Sequence, residues 1–246
     1  MILKKLLPAS VIALTVLGGF SCSRVKKPAA QIEREKWIES FNDSVKIYKE
    51  RSESASKEIG QLHDEATEQL KNFEFVNGSK EGTGFYIYKG WRGRMPLQSS
   101  GLTARISEKE QLEIMATFTG GIFTQMVVSD GSSKYTTHII TYDKAVANRV
   151  GDRCSVGYFG ASADSIAMIV ADISTNPISI SYLNGKTIGT ITLPADQKNM
   201  ILETYRLYQT LSAVHKMEKD ISVYSKKIDI FRKMMERDDT LRNRKK

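Results

Sequence analysis

Cysteine is almost missing from this 246-residue chain, which has two, Cys22 and Cys154. A disulfide-stapled fold needs several pairs, so this fold must rest on its apolar core, and 41% hydrophobic composition supplies one in a chain of this length. Histidine is nearly as scarce. His63, His138 and His215 lie far apart, and none stands at metal-ligand spacing from another histidine, a cysteine or a carboxylate, so neither a metal nor a cofactor is expected. Catalytic signatures are missing too: there is no Gly-x-Ser-x-Gly elbow and no Walker-type glycine loop. The glycine-rich Lys80-Glu-Gly-Thr-Gly-Phe-Tyr86 runs into strand-like sequence, so it reads as a hairpin connection and not a phosphate cradle. Glu108, Glu110 and Glu113 crowd one turn, the usual pattern of a solvated face. No enzyme is expected. Long apolar runs are absent as well: the segment Leu6 to Phe20, interrupted by Pro8, Ser10 and Thr15, is short of the roughly 20 residues that cross a bilayer as a helix.

What is present begins with that short run. Lys4 and Lys5 precede it and small Ser21 closes it, the layout of a secretory signal peptide over residues 1–21. Gly19-Phe-Ser-Cys22 resembles the lipobox of bacterial lipoproteins, in the looser form of Bacteroidota, with Gly19 where leucine is typical. The resemblance covers residues 1–23. It implies cleavage before Cys22, a diacylglycerol on its thiol and a membrane-anchored place in the cell envelope. Ser23, where an aspartate would retain the protein, resembles the outer-membrane sorting pattern. Lipidation of Cys22 leaves Cys154 without a disulfide mate, and Cys154, in a β-like run, reads as a small core residue.

The formal charge is +8. Position matters more than the total: Arg24, Lys26 and Lys27 follow the anchor within a linker over 22–30, and Arg242, Arg244, Lys245 and Lys246 form a basic tail over 242–246. At an anionic membrane surface each such residue contributes on the order of 1 kcal/mol. The export signal argues against a nucleic-acid partner.

Between these ends the periodicity changes twice. Residues 31–76 contain no proline and one glycine, Gly60, and repeat a 3,4 rhythm through Ile38, Phe41, Val45, Tyr48, Ser52, Ala55, Ile59, Leu62, Ala66 and Phe73. A second such tract over 194–241 opens with Pro194 and an early Asp196, suited to a helix amino terminus, and resumes after a slip near Leu211 as Val214, Met217, Ile221, Tyr224, Ile228, Phe231 and Met235. Each helix predicts a rod of roughly 70 Å. Residues 77–193 are instead rich in β-branched and aromatic residues and in turn dipeptides. Strands are predicted at 84–91, 112–119, 123–129, 135–142 and 154–159. A hairpin is predicted over 178–193, with a type I′ turn at Asn184-Gly185. Ile166, Ile169, Val170 and Ile173 share one helical face, predicting a short helix near 163–173 capped by Ser162.

The fold class that follows is α+β: an antiparallel two-helix coiled-coil stalk with an inserted antiparallel β-sandwich head. The order of short helix, hairpin and entering helix resembles the carboxy-terminal half of small β-sandwich modules in secreted, invasion-associated-type bacterial proteins, which implies fold only. A helical hairpin beside a β domain also resembles periplasmic adaptors of efflux systems, although there the hairpin is inserted in the β portion and here the reverse holds.

The most suggestive surface is Tyr86-Ile-Tyr-Lys-Gly-Trp-Arg-Gly-Arg-Met-Pro96. Trp91 among Lys89, Arg92 and Arg94 has the composition of a partner-binding hot spot; the alternative is a tryptophan folded back over the sandwich. The expected function is a nonenzymatic, lipid-anchored envelope protein presenting its head to a protein or glycan partner. The second expectation is an oligomeric coiled-coil structural or adaptor component of an envelope transport or secretion assembly.

Overall fold

A computed structural model describes residues 28–78, 83–172 and 176–243. Cys22, Arg24, Lys26 and Lys27 lie outside these residues, as do Arg244, Lys245, Lys246 and the side chain of Arg242. The chain divides into a unit over 1–44 and a unit over 45–246.

The first helix, α1 (Ala29–Leu70), begins in the first unit, where the rings of Trp37 and Phe41 meet with centroids 4.7 Å apart. No described helix is long and apolar enough to cross a membrane. Within the second unit the helix carries a narrow stripe: Val45, Tyr48, Ser52, Ala55, Ile59, Leu62, Ala66, Gln69 and Leu70 are shielded, while every other position from 46 to 68 is exposed. The helix stops earlier than its pattern predicts. Lys71 and Asn72 close it with tight bonds back to Glu68 and Gln69, and Phe73 turns out to begin a strand, β1 (Phe73–Val76). Alternating aromatics at 73 and 75 suit a pleat better than a further helical turn.

Two antiparallel sheets follow. The first has six strands in the order β1, β2 (Phe85–Tyr88), β3 (Gly101–Ser107), β4 (Leu112–Phe118), β8 (Arg153–Phe159), β7 (Arg149–Val150). The second has four in the order β10 (Lys186–Thr192), β9 (Ser179–Asn184), β5 (Gln125–Ser129), β6 (Lys134–Thr136). Two short helices, α2 (Tyr142–Ala147) and α3 (Ala161–Ala171), precede and follow β7 and β8. The predicted strand over 135–142 therefore ends at Thr136, and Tyr142 begins a helix. The predicted hairpin forms, but without a type I′ turn: Gly185 alone takes a positive φ, 70°, while Asn184 stays in β9 opposite Lys186. A bulge at Ile188 absorbs the change of register that the short connection imposes. In α3 the capping position is Gly160, not Ser162, which lies inside the first turn.

Both sheets feed one core. Tyr182 of β9 is fully buried and donates from Oη to the carbonyl of Thr117 at 2.8 Å and to that of Gly101 at 3.3 Å, tying the second sheet to β3 and β4 of the first. Phe118 stacks on its ring at 4.6 Å and Phe123 meets it edge-on at 5.1 Å. Burial pushes the Tyr182 hydroxyl far above its ordinary value and that of Tyr158 up to about 12, so both stay protonated donors. Cys154 is buried in this core, as its sequence context predicts, and burial raises its thiol.

The last helix, α4 (Ala195–Asn243), starts beside β3 and then runs on as a long rod. Its 49 residues span about 73 Å. Beyond the core its shielded positions are Val214, Met217, Ile221, Tyr224, Ile228, Phe231, Met235 and Asp238, a 3,4 repeat like that of α1. The two helices pack together. Tyr48 lies 5.9 Å, ring to ring, from both Tyr224 and Phe231, and Lys227 Nζ sits 4.9 Å over it. Since α1 runs towards the sheets and α4 away from them, the pair is antiparallel.

Candidate functional site: a cleft over the six-stranded sheet

The stretch singled out by its composition folds inward. After β2, Gly90 takes a φ of 82° and the chain winds into a 3-10 turn at Arg92–Arg94. Trp91 is only 4% exposed and belongs to the core. Arg94 lays its guanidinium over the Trp91 ring, 3.9 Å from the centroid, and donates to Asp196 Oδ2 at 2.8 Å. That bond pins the loop to the first turn of α4 and holds the Asp196 carboxyl below the usual carboxylate range. Arg92 is exposed, and Arg94, although clamped, keeps half of its side chain in solvent. The reading of Trp91, Arg92 and Arg94 as one exposed hot spot is thus corrected: the ring is core and Arg94 is a clamp.

What the loop does is form one wall of a cleft. Met95 and Pro96 stand over the face of the first sheet that carries Arg105 on β3, Glu113 and Met115 on β4, and Ser155 and Gly157 on β8; Asn148, Val150 and Arg153 close the other side. The cleft holds about 370 Å3. Register brings these residues to one face, because Arg105 pairs with Glu113 and Met115 with Gly157.

Glu113 is a charge that sequence reasoning misplaces. Grouped with Glu108 and Glu110 it reads as solvated, yet it is 5% exposed and accepts from Arg105 Nε. The difference lies in register: Glu110 sits in the turn with a φ of 57°, whereas Glu113 is the second residue of a central strand. Phe85 supports Arg105 from below, with its ring centroid 3.7 Å from the guanidinium carbon. Gly157 makes the room: a Cβ there would lie 2.6 Å from Glu113 Oε1. Arg153 donates from Nη1 to Gln98 Oε1 at 2.7 Å and to the Leu97 carbonyl at 3.3 Å, which ties it to the same wall. Two guanidinium groups face one carboxylate, so the cleft is net cationic, and Met95, Met115 and Val150 add apolar surface.

Ser155 Oγ is engaged with Thr117 Oγ1 at 3.1 Å. Ser162 accepts from Tyr135 Oη at 2.9 Å and lies 3.5 Å from His138 Nδ1. The His138 ring meets that of Tyr158 edge-on at 5.9 Å. His63 and His215 are exposed on their helices, and among the described residues no group of His, Cys, Asp and Glu could hold a metal ion.

The strand that brings Arg105 to the cleft, β3, was missed by sequence reasoning, although Leu102, Ala104 and Ile106 alternate within it. Compared with known protein families, curated proteins and solved structures, the chain shows no match.

Proposed function

We propose that this chain is a nonenzymatic, lipid-anchored protein of the bacterial cell envelope, seated in the outer membrane, whose antiparallel coiled-coil stalk carries a β-sandwich head to a protein or glycan partner. The observation that carries the reading is the burial register of the two long helices. Their shielded residues recur at coiled-coil spacing on one stripe each, so neither helix has a use for its stripe except against the other. A long, otherwise polar helix pair supports a spacer role better than a catalytic one. The cationic, methionine-lined cleft over the first sheet is the surface on which the partner is expected to dock.

The decisive experiment concerns the anchor. Expressed in a lipoprotein-processing bacterium with an alkyne-tagged palmitate, the full chain should incorporate label and fractionate with membranes, and Cys22→Ala should lose both. Label retained by Cys22→Ala would refute the anchor.

A second reading, an oligomeric structural or adaptor component, draws support from the outside of α4. Val223, Ile230 and Met234 are exposed there at seven- and four-residue spacing, a further stripe that another helix could cover. On that reading the full chain in detergent forms a trimer or larger assembly by light scattering, and Ile230→Glu with Met234→Glu lowers its mass.

A further inference from the structure

Sheets end in edges, and an edge strand offers unpaired N–H and C=O groups to any other strand. Most edges in this molecule are short or covered. In the first sheet β1 has four residues and β7 has two. Where β2 diverges from β3, α4 covers the gap: Leu102 N donates to Gln197 Oε1 at 2.9 Å and Ala104 N lies 3.3 Å from Met200 Sδ. In the second sheet β6 has three residues. The exception is β10, with seven residues and β9 as its sole hydrogen-bonded neighbour.

Which of its groups face outward follows from its inner bonds. Leu193 N donates inward to the Ile178 carbonyl at 2.8 Å. Alternation then turns the N–H and C=O of Thr192 and Thr190 away from β9. No charge guards this edge: Lys186 sits at the turn, and Thr187-Ile-Gly-Thr-Ile-Thr-Leu193 is uncharged throughout. The bulge at Ile188 confines regular pairing to residues 189–193.

We propose that β10 pairs antiparallel with β10 of a second copy of this chain, about a two-fold axis through Ile191. In that register Thr190 of each copy faces Thr192 of the other, and their outward groups close four N–H···O=C bonds. Ile191 meets its own counterpart in a non-hydrogen-bonded pair beside the core face of the sheet, and the Thr190 and Thr192 side chains pair on the outer face. The two Lys186 ammonium groups end at opposite ends of the ribbon, so no like charges are juxtaposed. A second copy matches this edge with one symmetric contact, since the edge is uncharged, its regular segment is five residues long and its two outward residues lie evenly about the centre. The edge is small beside the roughly 1,200–2,000 Å2 of a stable interface, so the dimer is a weak one.

A register-specific disulfide tests this in the full chain. Directly opposed residues of a non-hydrogen-bonded antiparallel pair have Cα atoms about 4.5 Å apart, within disulfide reach. Ile191→Cys should therefore oxidise to a covalent dimer, whereas Lys186→Cys, distant from its counterpart in this register, should not. Both variants carry Cys22→Ser, and the Cys22→Ser chain is the blank, since its one remaining cysteine, Cys154, is buried. Adding Thr192→Pro removes an outward N–H without touching the β9 ladder and should cut the dimer band roughly tenfold, with an unchanged thermal midpoint showing that the fold is intact. A monomeric Ile191→Cys, equal cross-linking at Lys186→Cys, or capture of a different protein at this edge without a homodimer each overturns the proposal.

Discussion

Gln197 is the side chain on which the join between α4 and the first sheet turns, and Gln197→Leu tests whether that join is understood. The glutamine is 3% exposed and its Oε1 accepts from Leu102 N, a backbone donor that β2 leaves without a strand partner. Leucine is similar in volume and apolar, so the buried site stays filled while the acceptor disappears. The N–H of buried Leu102 then costs about 1–3 kcal/mol as an orphaned donor, more than the extra apolar surface returns. For a unit of this size about 2 kcal/mol lowers the thermal midpoint by roughly 4–8 °C. Urea unfolding of the full chain, followed by circular dichroism, reads the loss. Native-state hydrogen exchange localises it: the Leu102 amide should lose about ten- to hundredfold protection while Ile114 and Val128 keep theirs at low denaturant. Gly101 supports the same geometry, because a Cβ there would lie 2.3 Å from Gln197 Oε1, so Gly101→Ala should be destabilising as well. A Gln197→Leu protein as stable as wild type, with Leu102 protection unchanged, refutes the argument.

Arg105→Ala strands the buried Glu113 carboxylate and should cost about 3 kcal/mol or more, whereas Arg105→Ala with Glu113→Ala together should cost less than Arg105→Ala alone; equilibrium unfolding of the three variants decides it. Asp196 is lowered by Arg94 and Asp130 by the backbone N–H groups of Ser133 and Ser132. A depressed folded value means that their stabilisation is present above the ordinary 3.8 and is lost as pH falls below it. The stability gap between wild type and Arg94→Ala should therefore narrow as pH drops from about 5 to about 2, and a gap that widens counts against the clamp. Cys154, buried and with its thiol raised by desolvation, should react with a thiol reagent only as fast as the protein opens, and rapid native-state labelling would contradict its core assignment.

Legibility in the sequence tracked the length scale of each constraint. The long helices were readable because one stripe per helix repeats over many turns, and Tyr48 and Tyr224 fall on the shielded positions that the 3,4 count assigns them. Boundaries failed where a short-range competitor took over: Phe73 fits the helical count, but the tight turn at Lys71-Asn72 hands it to β1. Inside the β region, β3 hid because its alternation follows a loop rich in serine and glycine, and α2 hid because six residues carry no period. The cleft was beyond reach for a different reason. Its charge pair joins β3 to β4, its floor is a glycine on β8, and its wall is a loop whose tryptophan advertises a surface while filling the core. Composition marked the right loop and the wrong residues, since nothing local tells an exposed Trp91 from one covered by Arg94.

The helix pair poses a question of order that the connectivity answers. Tyr48 and Tyr224 are remote in sequence, so their contact closes a very long loop whose entropy the narrow stripes cannot offset by themselves. Isolated helices with such stripes are marginal in water, and α1 and α4 each bury one side only. The sheets remove the obstacle: β1 follows α1 after two residues, and the start of α4 is fixed to β3 through Gln197 and Met200 and to the loop through Arg94. Once the β region is folded the helix ends are already neighbours, and zipping proceeds outward from there as a local event. The helix pair should thus be conditional on the β region and not the reverse. In Tyr48→Ala the parts of α1 and α4 around Tyr48, Tyr224 and Phe231 should lose hydrogen-exchange protection while Leu102, Ile114 and Ile180 keep theirs, whereas Gln197→Leu should lower protection at Leu102 and in the helix pair together. Helices that stay protected after the sheets have opened in moderate urea would reverse this order.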